Sequence, residues 1–260
     1  MIFDTHAHYD DSAFDEDRDE VLAKIFGCGV GCVVNIGADL DSSKSTVELA
    51  RVDERIYAAV GIHPESVDEA DDQGIEELRK LIKGSSRVKA VGEIGIDLHY
   101  GKGTLKEQET AFIRQWDLAD EFGLPIVIHS RDTAKATFDI VKDRFEKNGK
   151  PLRAVMHCYS YEKEQAAEYT KMGLYIGVGG VLTFKNGRKL AETVEAIPIE
   201  KILLETDCPY LAPEPFRGKR NDSSYIKYVV EKLAALRGIS TEEVEDITFA
   251  NARRFYGINL

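Results

Sequence analysis

Six residues between positions 6 and 207 have the chemistry of metal ligands: His6 and His8 in a His-x-His pair, then Glu93, His129, His157 and Asp207. Imidazole nitrogen and carboxylate oxygen suit Zn²⁺, Mn²⁺, Mg²⁺ and related divalent ions. Six such groups exceed what one tetrahedral ion needs, and one carboxylate can bridge two ions. The set therefore matches two divalent metal ions, a recurring device for phosphoester hydrolysis. A single histidine ending a strand is ordinarily satisfied by a neighbouring carbonyl. Four histidines and two acids at strand ends are not explained by packing, because buried imidazole and carboxylate are costly without partners.

The elements that must position these groups are short runs rich in β-branched residues: 2–6, 32–36, 56–62, 88–94, 125–129, 153–157, 174–178 and 201–205. Amphipathic stretches separate them. In 105–122, Phe112, Trp116 and Ala119 share a helical stripe; in 134–145, Phe138, Val141 and Phe145 do. Strands alternating with helices predict parallel βα units. The 260 residues match the roughly 250 of a (β/α)₈ TIM barrel. We expect a single such domain over 1–260, of the metal-dependent hydrolase type. The six groups end strands, and in a barrel those ends converge on the face where active sites form. Alternate strand residues share a face, so His6 and His8 point the same way if the first strand continues far enough. Asp41 or Ser42 is expected to cap one helix and Ser240, with Glu243 three residues on, another. Residues 68–74 read as an acidic loop, 210–221 as a loop after the last strand, and the segment after Ile239 as a final helix.

A net charge of −12 argues against a protein that coats nucleic acid, which needs an excess of Lys and Arg. It leaves room for an enzyme that grips one or two phosphates. Cys28, Cys32, Cys158 and Cys208 form no CxxC pair and read as reduced thiols. No second pair stands near Cys28 and Cys32 to complete a zinc knuckle. No run approaches the roughly 20 apolar residues of a membrane span. The first residues lack the basic start and apolar core of a signal peptide. A cytoplasmic, membrane-free monomer is the expectation.

Other residues carry weaker signals. His63 ends the third strand and is a candidate for contacting substrate phosphate. Arg131 stands near a helix start where an anion is welcome, or pairs with Asp132. Arg217, Lys219 and Arg220 make a basic loop in an acidic chain, for phosphate or for plain solvation. Glu205 either buttresses a ligand or satisfies the interior, and His99 reads as a surface residue. Gly177, Gly179 and Gly180 lack the GxGxxG spacing of a dinucleotide site.

Six ordered motifs, Asp4-Thr5-His6-Ala7-His8, Gly61-Ile62-His63-Pro64, Gly92-Glu93-Ile94-Gly95-Ile96-Asp97, Pro125 to Arg131, His157-Cys158-Tyr159-Ser160 and Glu205 to Leu211, resemble the TatD family of metal-dependent deoxyribonucleases. The match continues to the 217–221 loop, and Asn251-Ala252 resembles the family's terminal helix. The resemblance implies an amidohydrolase-type TIM barrel with a two-metal site. His6, His8 and Asp207 would hold one ion, His129 and His157 the other, and Glu93 would bridge them. It also implies exonucleolytic cleavage of DNA, at a single strand or exposed end. Metal-activated water would attack phosphorus, Asp207 would take its proton, and His63, Arg131 or Arg217 would contact substrate. One alternative is an amidohydrolase acting on C–N or carboxyl-ester bonds, such as an aminoacyl-tRNA deacylase. Many relatives of that kind bridge their metals through a modified lysine, whereas the fourth strand here offers Glu93, with Lys89 at its wrong end. The other alternative is a metal-holding scaffold without catalysis.

Overall fold

The computed structural model describes residues 1–259 of the chain. All eight strand-like runs form strands: β1 Ile2–Ala7, β2 Val30–Ile36, β3 Ile56–Val60, β4 Val88–Asp97, β5 Ile126–Arg131, β6 Ala154–Met156, β7 Tyr175–Val178 and β8 Ile202–Leu204. They lie in one sheet whose order follows the chain. Their pairings are parallel. A parallel bridge from Ala7 to Cys208 ties the first strand to the segment after the last. Among the described residues the helices are α1 Arg18–Gly27, α2 Leu40–Val52, α3 Asp72–Gly84, α4 Leu105–Phe122, α5 Ala134–Asn148, α6 Lys163–Lys171, α7 Arg188–Ala196, α8 Ile226–Arg237 and α9 Thr241–Tyr256. This is the (β/α)₈ order the sequence pattern predicts. Strands such as β3, buried at every position, read as continuous apolar runs because helices cover parallel sheets.

By its internal contacts the chain forms two compact units. The first comprises residues 1–35, 158–171 and those from 175 onward. Its anchor is α9, which starts at the predicted Ser240–Glu243 capping box and stops at Gly257, where φ is 64°. Phe249 and Tyr256 of α9 pack on Phe3 of β1 at centroid distances of 5.7 and 6.1 Å. The Tyr256 hydroxyl donates to the Thr5 carbonyl at 2.8 Å. Buried Asn251 donates to the carbonyls of Ile199 and Ile202.

The second unit comprises residues 36–157 and 172–174. Its central helix, α4, begins at a Thr104–Glu107 capping box and ends at Gly123, in the left-handed region. Phe112 and Trp116 of the predicted stripe are buried. So are Gln108 and Gln115, seven residues apart and hence on one face after two turns. Gln115 exchanges two hydrogen bonds with the backbone of Ile62. Gln108 does the same with Asp97. Two glutamines thus fix the ends of β3 and β4.

Two local expectations are corrected. The α2 cap is Asp39, which accepts from Ser42 N while the Ser42 hydroxyl bonds back to the Asp39 backbone. Ser42 is therefore the third helical residue rather than the cap. The supposed loop 68–74 is divided between a short 3-10 turn, Pro64–Glu69, and the start of α3, which Asp71 caps at Gly74 N. Asp71 and Asp72 are acidic because a helix N-terminus favours negative charge.

Candidate metal centre

In the first unit, His6, His8 and Asp207 meet. Their ligand atoms form a triangle: His6 Nε2 to His8 Nε2 is 3.1 Å, and each nitrogen lies 3.7 and 3.5 Å from Asp207 Oδ1. A tetrahedral ion with bonds of about 2.05 Å places its ligands about 3.3 Å apart. A point equidistant from the three atoms here lies about 2.0 Å from each. The donor set and its spacing thus fit a divalent cation. β1 ends at Ala7, and His8 N continues the ladder by donating to Cys208 O at 2.8 Å. That continuation turns His8 to the side of His6.

Asp4 holds this cluster from beneath. It is fully buried; Oδ1 accepts from the backbone of Thr206 at 3.0 Å and of His6 at 3.3 Å. Oδ2 accepts from the hydroxyls of Thr206 and Ser223, both at 2.6 Å. Burial raises the carboxyl to about 6, against the lowering effect of the Ser223 and Thr206 hydrogen bonds. The Ser223 hydroxyl also pairs with the buried Tyr9 hydroxyl at 2.7 Å. Asp207 follows with φ of 57°, a left-handed conformation that Asp tolerates better than most residues. Glu205 is buried, and its Oε1 accepts from the backbone N–H of Cys158, the residue after His157, at 2.7 Å.

In the second unit, Glu93, His129 and His157 meet. Glu93 Oε1 lies 2.6 Å from His129 Nδ1 and 3.7 Å from His157 Nε2. The shorter distance is that of a hydrogen bond, with a proton where an ion would sit. The other nitrogen of His129, Nε2, lies 2.9 Å from Asp97 Oδ2. Burial lowers the His129 pKa, but Glu93 and Asp97 outweigh it and raise the group to about 9. Asp97 was quoted in the sequence only as part of a motif. Its carboxylate is buried, which opposes ionisation, yet hydrogen bonds from His129 and the backbone of Tyr100 and His99 hold it well below the usual range. A carboxylate on the far nitrogen of a ligating histidine fixes the tautomer and ring orientation. Its sequence signal was position: β4 runs to Asp97, four residues past Glu93. The close approach behind it depends on Gly95, with φ of 152°, where a Cβ would meet the His129 carbonyl oxygen at 1.9 Å.

His63 also joins this set. Its ring lies 4.2 Å from that of His129, and His63, Asp97 and His129 bring ligand-type atoms within 4.8 Å of one another. Glu65 N donates to His63 Nδ1 at 3.2 Å, which leaves the ring proton of the neutral imidazole on Nε2. Arg131 is exposed, with its guanidinium 4.6 Å from the Tyr100 ring centroid; the neighbour of Asp132 is instead His99, at 3.7 Å. In the basic loop, Arg220 is committed to Asp17 at 2.8 and 2.6 Å and to the Ala13 carbonyl. Arg217 is exposed and lies over Phe184, at 4.2 Å.

The family model described as TatD related DNase matches residues 3–257. The metal-dependent hydrolase YabD of Bacillus subtilis is 39% identical over 259 residues, covering 100% of each chain. The 3'-5' ssDNA/RNA exonuclease TatD of Cronobacter sakazakii is 34% identical, over 98% of this chain and 97% of its own. Among solved structures, the TatD homologue YJJV of Escherichia coli K12 matches with a TM-score of 0.90 at 28% identity, covering 99% of this chain and 98% of its own. With the ligand types in place in both units and the match running nearly end to end, the chain belongs to the TatD-related DNase family.

Proposed function

We propose that the chain is a divalent-metal-dependent phosphodiesterase that removes nucleotides from an exposed end of single-stranded nucleic acid, DNA foremost. The observation that carries this is the His6–His8–Asp207 triangle, whose spacing suits a cation. The name of the Cronobacter relative gives the substrate class. In this reading residues 1–260 act as one domain. His6, His8 and Asp207 would hold one ion, and His129, His157 and Glu93 the second. Bound divalent ions activate water and offset charge on phosphate oxygens.

The chain's own groups do the rest. Asp207 presents one oxygen to the imidazoles and takes the proton of the attacking water on its other oxygen, acting as general base. His63, with its proton on Nε2, donates to a non-bridging phosphate oxygen, and Arg131 adds a charge at the same face. Asp97 keeps the Nε2 proton of His129 in place, so that Nδ1 faces the ion. A monomer in a reducing, cytoplasmic setting fits four free cysteines. No described helix is long and apolar enough to cross a membrane.

The test is digestion of end-labelled single-stranded and duplex DNA, and of RNA, with Mn²⁺, Mg²⁺ or Zn²⁺ and after chelation. Stepwise shortening of the single strand that stops with chelator supports the proposal. Turnover only of carboxyl-ester or amide substrates overturns it, as does Asp207→Asn hydrolysing at the full rate with metal bound.

A further inference from the structure

Beside the His6–His8–Asp207 cluster, within the same unit, runs a groove of about 600 Å³ bordered by Tyr210, Leu211, Phe184, Arg217 and Lys219. Tyr210 is three residues past Asp207, and its N–H donates to the Asp207 carbonyl at 2.8 Å. Its ring lies edge-on to that of His8, with centroids 6.4 Å apart. The residue is held at both ends: the ring hydroxyl donates to Asp11 Oδ2 at 2.8 Å, and the backbone carbonyl accepts from the Asn221 amide at 2.8 Å. Yet 54% of Tyr210 is exposed. An aromatic face held this firmly and left in water beside a metal cluster is a platform with its ordering entropy already spent.

The groove also carries cations. Arg220, two residues after Gly218, is tied to Asp17. Arg217 and Lys219 have no carboxylate partner among the described residues, in a chain of net charge −12. A stacking face next to two unpaired cations is the pattern by which proteins hold single-stranded nucleic acid, the base on the ring and the backbone on the charges.

We propose that this groove is the subsite for the nucleotide next to the scissile phosphate, its base stacked on Tyr210 and its far phosphate at Arg217 and Lys219. The inference rests on the phosphodiesterase reading of the metal centre. It makes recognition depend on an unstacked base, hence on a single strand, and makes it indifferent to base identity, because every base has a π-face. The substrate is selected by strandedness rather than by sequence.

The probe is a fluorescent thymidine hexanucleotide with non-cleavable phosphorothioate linkages, with an abasic counterpart of equal length, bound to the metal-loaded full chain. Tyr210→Ala is expected to weaken the base-bearing strand about fivefold to tenfold, at the lower end of stacking because the ring is half exposed. Its affinity for the abasic strand stays unchanged. Tyr210→Trp and Tyr210→Phe hold both strands within about twofold, since either keeps the face. Arg217→Ala and Lys219→Ala each reduce the slope of log affinity against log salt by about 0.7. Equal weakening of both strands by Tyr210→Ala, no weakening of either, or no measurable strand binding by the wild-type chain overturns the subsite. Tyr210-dependent binding without hydrolysis of cleavable strands upholds the subsite and removes the phosphodiesterase reading. Hydrolysis with Tyr210-independent binding does the reverse. Metal content of the Tyr210→Ala protein, matched to wild type, excludes a collapsed Asp207 segment as the cause.

Discussion

Replacing Asp97 by Asn keeps the shape of the side chain but reverses the direction of one hydrogen bond. Asp97 Oδ1 accepts from His99 N at 2.6 Å and Tyr100 N at 2.7 Å. The amide oxygen of an asparagine must take that place, because only an acceptor satisfies two N–H groups. Its NH₂ then faces His129 Nε2, which sits 2.9 Å from Oδ2 in the native chain. Two donors cannot face each other, so His129 must carry its proton on Nδ1, the atom 2.6 Å from Glu93 Oε1. That proton blocks the lone pair proposed to bind metal. Loss of such a supporting partner typically costs 10–100-fold in metal affinity, or about 1.4–2.7 kcal/mol at 1.36 kcal/mol per tenfold. Competition between the protein and a chromogenic chelator for Zn²⁺ or Mn²⁺ reads this directly, and the weakening should affect one of two bound ions. Nitrogen-15 chemical shifts of His129 in the metal-free protein give the second readout: a ring protonated on both nitrogens in the native chain, and on Nδ1 alone in the variant. Two ions held with native affinity, or an Nε2 proton retained in the variant, would refute the argument that Asp97 sets the tautomer.

Three further outcomes are expected. Ser223→Ala removes a 2.6 Å bond to buried Asp4 and should destabilise the chain by about 1.5–3 kcal/mol, the range for hydrogen bonds to charged groups, measured as the urea midpoint at unchanged slope. Exposed Cys28 should label with iodoacetamide in the native state, while Cys208 should label only after unfolding; burial and Asp4 push the Cys208 thiol well above its usual value, and mass spectrometry of peptides checks both. Metal at 100 times its dissociation constant should add about 2.7 kcal/mol to folding stability, seen as a concentration-dependent rise in melting temperature that chelator abolishes; a melting curve indifferent to metal would contradict the cation site.

The strands and the principal helices were legible because apolar runs of β-branched residues and 3.6-residue stripes are local signals. The ligand types were legible because polar residues ending buried strands are costly without a purpose. Part of what escaped was set by contacts distant in sequence, and part by local signals with two readings. Asp97 lies inside a strand longer than its apolar run, and its role depends on Gln108 and His129 as well as on the adjacent His99 and Tyr100 amides. Asp39, instead of Asp41 or Ser42, caps α2 because the reciprocal partner is itself a serine, a less common form of the capping box. The acid-rich start of α3 imitated a loop, since aspartates serve turns and helix N-termini equally. Arg217 and Arg220 looked alike in the chain, and only the position of Asp17 separates the committed cation from the available one.

The route by which the first strand is secured bears on how the protein is made. His6 and His8 precede by far in the chain the groups that support their strand: Thr206 and Ser223 on Asp4, and the Tyr256 hydroxyl on the Thr5 carbonyl. A growing polypeptide therefore carries an unsupported His-x-His pair until Thr206, Ser223 and Tyr256 have followed it. On the proposed metal reading, a cation would find this pair in its final shape only once position 256 had been made, so loading would follow folding rather than guide it.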